Sequence, residues 1–166
     1  YVLAHNILYT YIAPLLVPAG IGREIDRVLL VFGLMALLSI WLVGVWIDRH
    51  LRLLTLISCA MFAVAALLLG LWFNCVVAIY VSVALWGLAF GGLPALLQTA
   101  LAKSAGNSAD TAQSMLVTVW NLGIAGGGLV GGLLLERWGV VAFPWAVLGL
   151  IVLALGAIRG KALPAR

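Results

Sequence analysis

Charged side chains fall along this chain at intervals that match the thickness of a lipid bilayer. They stand at Arg23, Glu24, Asp26, Arg27, Asp48, Arg49, Arg52, Lys103, Asp110, Glu136, Arg137, Arg159, Lys161 and Arg166, and the stretches between the main clusters hold 22, 20, 50, 25 and 21 uncharged residues. A helix rises about 1.5 Å per residue and a hydrocarbon core is about 30 Å thick, so about 20 apolar residues make one crossing. Four of the stretches supply one crossing each. The longest would reach about 75 Å as a single helix and must fold back; the apolar pattern breaks at Trp72, Phe73, Asn74 and Cys75. Six transmembrane helices are expected, over 2–20, 28–47, 53–72, 76–98, 112–135 and 139–158, making one all-α, polytopic membrane domain of 1–166.

Composition excludes the alternatives. Hydrophobic residues are 66% of the chain and charged residues 8%, against roughly 25% charged in a soluble domain, so a water-soluble fold would lack the polar surface to cover itself. The net charge of +4 does not point to nucleic acid, because the basic residues sit at predicted helix ends and form no stripe interleaved with exposed aromatics. The expected partner is the lipid bilayer. Basic connections are retained in the cytoplasm: Arg49, Arg52, Lys103, Arg159, Lys161 and Arg166 fall on one side, and Arg23, Arg27 and Arg137 on the other. The first side is therefore expected to be cytoplasmic, with the basic C-terminus there, in the inner or plasma membrane. Tyr1 follows no basic segment, so no cleaved signal peptide is expected and the start reads as cut. Cys59 and Cys75 would lie about 24 Å apart along a helix, too far for a disulfide. No metal-ligand spacing and no Gly-x-x-x-x-Gly-Lys phosphate cradle occurs, so no metal, nucleotide or other cofactor is expected.

Two patterns carry more specific information. Gly123, Gly127 and Gly131 repeat every four residues in the fifth predicted helix, a spacing that lets a second helix approach closely; the stripe serves packing or a sliding motion. Gly44, Asp48, Arg49 and Arg52 join the second and third helices on the basic side. An aspartate at a helix C-terminus opposes the helix dipole and needs compensation, from Arg52 four residues on or from another helix N-terminus.

The pattern Gly-x-x-x-Asp-Arg-x-x-Arg after the second of six helices resembles the second copy of the loop motif of major facilitator superfamily transporters. Tyr9 to Pro14, Trp86 to Gln98 and Trp120 to the glycine run resemble that superfamily's drug and sugar efflux branch, the drug:proton antiporter-1 and arabinose efflux permease-like proteins, and the resemblance covers effectively the whole chain. One departure is that His50, Leu51 and a single Arg52 stand where the family often has a glycine and paired basic residues. The resemblance implies one half of a major facilitator fold, helices 7 to 12, with the N-terminal six-helix half as its missing partner. It also implies efflux of a small-molecule substrate, drug or sugar-like, by proton antiport with rocker-switch alternating access.

Counting inward from the predicted helix ends places Tyr9, Thr10, Tyr11, Trp86, Trp120 and Asn121 near mid-depth, where such transporters hold substrate between their halves. Candidate cavity residues are Asn6, Tyr9, Tyr11, Trp86, Trp120 and Asn121. Interhelical hydrogen bonding is the competing role for Asn121, and packing for Trp86. His5 is a polar cavity contact or a proton carrier. No carboxylate falls at mid-depth, since Asp48, Asp110 and Glu136 stand at boundaries. An enzyme is not expected: Ser39, Ser58, Ser82 and Ser114 lack the neighbours that an intramembrane serine protease needs. A free-standing six-helix scaffold or a dimerising half-transporter is the alternative.

Overall fold

The structure, a computed structural model, describes residues 1–160, without the side chains of Asn107 and Arg159. Lys161 and Arg166, counted above in the basic tail, lie outside the described residues. Among the described residues every regular element is helical: α1 (Val2–Thr10), α2 (Ile12–Leu16), α3 (Ile25–Leu71), α4 (Val76–Gly91), α5 (Leu93–Ala105), a 3₁₀ turn (Gly106–Ser108), α6 (Ala109–Trp138) and α7 (Ala142–Gly160). Three helical stretches, Ile25–Leu71, Val76–Ala105 and Ala109–Trp138, are long and apolar enough to cross a membrane, and Ala142–Ile158 is a shorter apolar helix. Leu37, Trp41, Val45, Leu122, Leu129 and Leu153 stand exposed on the surface, an apolar exterior that water would not tolerate and lipid does.

The boundaries differ from expectation where proline and glycine act. The first predicted span, 2–20, is two helices that meet at Tyr11 (φ −110°, ψ 26°) and end at Leu16. Pro14 has no N–H for the Thr10 carbonyl four residues back and its ring crowds that oxygen, so the chain breaks one turn before the proline. Gly20 then takes a positive φ of 77° in the connecting turn, a conformation that costs glycine little. The predicted spans 28–47 and 53–72 are continuous in α3 except for one non-helical residue, His50 (φ −131°, ψ 29°). That residue reverses the chain. Phe32 and Phe62 would lie about 45 Å apart on a straight helix, yet their rings stand 4.6 and 6.3 Å from the Trp86 indole. The two arms of α3 therefore form a hairpin that flanks α4.

The predicted 76–98 span splits at Gly92 and continues to Ala105. Trp72 and Cys75 close the preceding helix and open α4, as the apolar break suggested. Ser108 occupies the N-cap position of α6 without a side-chain hydrogen bond, and Asp110 sits in the first turn, where a negative charge meets the positive end of the helix dipole. Gly139 (φ 72°) turns the chain between α6 and α7, so the last helix starts at Ala142 rather than 139. Ile7, Leu8, Leu15, Phe62, Leu69, Trp86, Phe143, Val147 and Ile151 form one buried core.

The glycine stripe is the seam between α6 and α1. A Cβ on Gly123 would meet Val2, one on Gly127 would stand 2.5 Å from Asn6 Cβ and 2.8 Å from the Leu3 carbonyl, and one on Gly131 would enter the Tyr11 ring. Three glycines four residues apart thus seat three successive turns of the α1–α2 segment, where close van der Waals contact holds helices together without a hydrophobic drive.

Candidate functional site

The break between α4 and α5 shapes the interior. Pro94 leaves the Phe90 carbonyl without its helical donor, and the exposed backbone groups around Gly92 find partners on both arms of α3. Gly92 N–H donates to Ser39 Oγ at 3.0 Å, and Ser58 Oγ donates to the Ala89 carbonyl at 2.6 Å. The Tyr1 hydroxyl lies 2.8 Å from Ser58 Oγ and 3.0 Å from the same carbonyl. Neighbouring side chains are how a broken helix stays satisfied inside a membrane. Gly91 and Gly92 also let α3 come close, since a Cβ would strike the Ala36 backbone at one and Val43 at the other.

Beyond the break, α5 and α6 face each other across a cleft of about 210 Å³ lined by Pro94, Gln98, Gln113, Leu116, Val117, Trp120 and Asn121. Three side-chain amides and one indole meet there. None of the lining side chains is ionisable. Asn121 is exposed and makes no side-chain hydrogen bond among the described residues, so it faces the cleft instead of tying α6 to a neighbour. From Trp120 an aromatic row runs inward: Trp120 to Phe90 at 6.1 Å between ring centres, Phe90 stacked on His5 at 3.4 Å, and His5 stacked on Tyr9 at 5.3 Å. Tyr9 keeps 47% of its surface exposed.

Three expected cavity residues are placed elsewhere. Trp86 is 1% exposed and its indole N–H donates to His5 Nδ1 at 3.1 Å, so it is part of the core and fixes the His5 ring. The Tyr11 hydroxyl donates to the Gly128 carbonyl at 2.7 Å, binding α6 from across the glycine seam. Asn6 donates to Val2 in its own helix at 2.9 Å and packs beneath Gly127. Trp86 and Tyr11 each donate their one polar hydrogen inside the chain, and Asn6 donates one of its two amide hydrogens there. Gln98 and Gln113 went unnoticed as cavity residues, although Gln113, Leu116, Val117 and Trp120 follow the i, i+3, i+4, i+7 spacing of one helix face.

The Asp48 loop lies apart from this cleft. Gly44, Asp48, Arg49 and Arg52 are all exposed, and a Cβ on Gly44 would meet nothing. Arg52 does not pair with Asp48: the one ion pair among the described residues joins Arg27 to Glu24 at 3.6 Å. Instead, Lys103 at the end of α5 reaches the Asp48 carbonyl at 3.5 Å. At the opposite end, the Tyr80 hydroxyl donates to Glu24 at 2.9 Å and ties the start of α4 to the start of α3.

The family model for the Major Facilitator Superfamily matches residues 3–163. A probable sugar efflux transporter of Mannheimia succiniciproducens is 28% identical over 89% of this chain and 38% of its own length. A chloramphenicol efflux pump of Mycobacterium tuberculosis is 30% identical over 82% of this chain and 35% of its own length. A probable sugar efflux transporter of Helicobacter acinonychis is 28% identical over 90% of this chain and 39% of its own length. The chain thus spans well under half the length of these curated relatives. No solved structure matches it with comparable significance.

Proposed function

The chain belongs to the Major Facilitator Superfamily, and from that premise we propose that it forms the C-terminal, six-span half of a transporter that exports a small, uncharged organic compound across the inner membrane. The observation that carries the reading is the α5–α6 cleft. Its amides of Gln98, Gln113 and Asn121 each offer both donors and an acceptor, and Trp120 offers a flat apolar face. That set suits a neutral molecule with several hydroxyl or amide groups, and a cation would find no carboxylate to offset its lost hydration. Relatives named for sugar and chloramphenicol efflux are consistent with such a ligand. A volume of about 210 Å³ is below the roughly 300–1,000 Å³ of a complete small-molecule pocket, and an N-terminal six-helix half would supply the opposite wall.

In this proposal, α3 contributes two spans through its hairpin and α4 with α5 one, which together with α1–α2, α6 and α7 gives six. The two halves rock about the ligand so that the cleft opens to each side in turn. Export is driven by proton antiport, with the coupling carboxylate in the other half, because Asp48 stands beside the His50 reversal of α3 and Asp110 and Glu136 near the two ends of α6. The basic connections and the C-terminus face the cytoplasm.

The test is efflux by the complete transporter of a panel of uncharged hydroxylated compounds, chloramphenicol and simple sugars included, with cationic dyes as the contrast. Gln98→Ala and Trp120→Ala are each expected to cut efflux of the neutral substrate about tenfold, the loss of about 1.4 kcal/mol of interaction, at unchanged membrane abundance. Full activity in both variants, or export of cations alone, would refute the assignment.

A further inference from the structure

Two hollows along the α3 hairpin meet at one residue. The first, of about 160 Å³, lies between the two arms near Gly92, and its walls include Ser39, Leu42, Leu54, Ile57, Ser58 and Met61. The second, of about 200 Å³, is lined by Trp46, His50, Leu53 and the same Leu54, at the reversal of the chain. Together they form a groove that runs from the Asp48 loop into the hairpin. Leu42, Trp46, Leu53 and Ile57 are exposed, so the groove opens on the apolar exterior and not into the α5–α6 cleft.

The two ends of the groove differ in chemistry. In the first hollow both hydroxyls are engaged: Ser39 Oγ accepts from Gly92 N–H at 3.0 Å, and Ser58 Oγ donates to the Ala89 carbonyl at 2.6 Å. The rest of that lining is apolar, and a hollow of this kind holds apolar matter more readily than water. At the loop end the Trp46 and His50 rings stand 5.6 Å apart. Arg49 and Arg52 are exposed beside them, and neither pairs with a carboxylate among the described residues. Lys103 reaches the same loop, where Asp48 is the one acidic side chain. An occupant that suits the whole groove is apolar along its length and negative at one end.

The length fits as well. Met61 follows Arg52 by nine residues, about 14 Å along a helix. One acyl chain crosses half of a hydrocarbon core that is about 30 Å thick. We propose that the groove binds one anionic phospholipid, with its phosphate at Arg49 and Arg52, its glycerol beside Trp46 and His50, and one acyl chain passing Leu54 to reach Met61. Basic side chains at the ends of membrane helices hold anionic headgroups, and an indole settles at headgroup depth. The site is separate from the cleft and independent of what the cleft carries.

The experiment uses the complete transporter in phosphatidylcholine vesicles that contain a trace of one photoactivatable lipid, either phosphatidylglycerol or phosphatidylcholine, each with a diazirine at the end of one acyl chain. After irradiation, mass spectrometry of peptides locates the adducts. The phosphatidylglycerol probe is expected to label the segments holding Leu42, Ile57 and Met61 about tenfold more than the phosphatidylcholine probe. Arg49→Gln with Arg52→Gln should bring the two probes to the same level, and Ile57→Trp, which places a bulky ring at the exposed mouth, should lower labelling of Met61 by both. Equal labelling by the two probes in the parent protein would mean ordinary surrounding lipid and would overturn the site, as would adducts that avoid the groove. A preference for phosphatidylglycerol that survives in the double arginine variant would overturn the headgroup assignment.

Discussion

A buried indole N–H must find an acceptor, and that of Trp86 finds His5 Nδ1. The bond assigns Nδ1 as the acceptor and the ring proton to Nε2 in the neutral form, which sets how the imidazole stacks on Phe90. Trp86→Phe should leave that nitrogen bare and cost about 1–3 kcal/mol, read as a lower thermal midpoint in detergent; pairing it with His5→Leu should restore part of the loss, and a simple sum of the two losses would contradict the bond. Asp48 presents the opposite case. It is exposed at the end of a helical arm, with no cation within ion-pair distance among the described residues, so its compensating partner is proposed in the other half of the transporter. Asp48→Asn should therefore impair efflux while membrane insertion is unchanged, and normal efflux would remove the role. Asn6, Tyr11 and Trp86 are placed against their own or a neighbouring helix, a placement their mid-depth positions did not disclose. In a membrane protein the lipid-facing side of a helix is as apolar as its packed side, so the sequence pattern does not say which way a mid-depth polar residue points. Trp120 and Asn121 lie on the cleft because the Gln113 face continues to them.

Close approach of helices is written more plainly. Gly123, Gly127 and Gly131 announce a backbone contact by spacing alone, and the structure seats Val2, Asn6 and Tyr11 there. Gly127→Val should drive Asn6 and the Leu3 carbonyl away and lower the yield of folded protein, whereas Gly128→Ala, whose Cβ would meet nothing within 4 Å, should be tolerated; equal behaviour of the two in a fluorescence size-exclusion assay would contradict the seam. The bends at Tyr11 and Gly92 fall within a turn of Pro14 and Pro94, because a proline acts on the carbonyl four residues before it. What the sequence did not disclose was which side chains would satisfy the broken backbone. Ser39 and Ser58 stand in apolar stretches like any membrane serine, and their partners at Gly92 and Ala89 are more than thirty residues away.

The spacing of charges carried the overall layout: apolar stretches one bilayer long, a reversal at His50, and, among the described residues, helices alone as regular elements with an apolar exterior. The cleft lies between α5 and α6, and α5 is set off from α4 by the break at Gly92, which no local pattern reports. In the proposed orientation, basic residues at Arg49, Arg52 and Lys103 against Arg23, Arg27 and Arg137 put the Asp48 loop in the cytoplasm, so a lysine-directed, membrane-impermeant reagent should reach Lys103 in inverted vesicles and not in intact cells; the reverse pattern would turn the whole orientation over. In the proposed function, the cleft beside Asn121 is a passage that opens to each side of the membrane in turn. The direct measurement is labelling of Asn121→Cys, in the complete transporter with Cys59 and Cys75 replaced by serine, by a membrane-impermeant thiol reagent applied from either face. Labelling from both faces, slowed by a transported neutral compound, is the predicted result; labelling from one face only, or none from either, would contradict it.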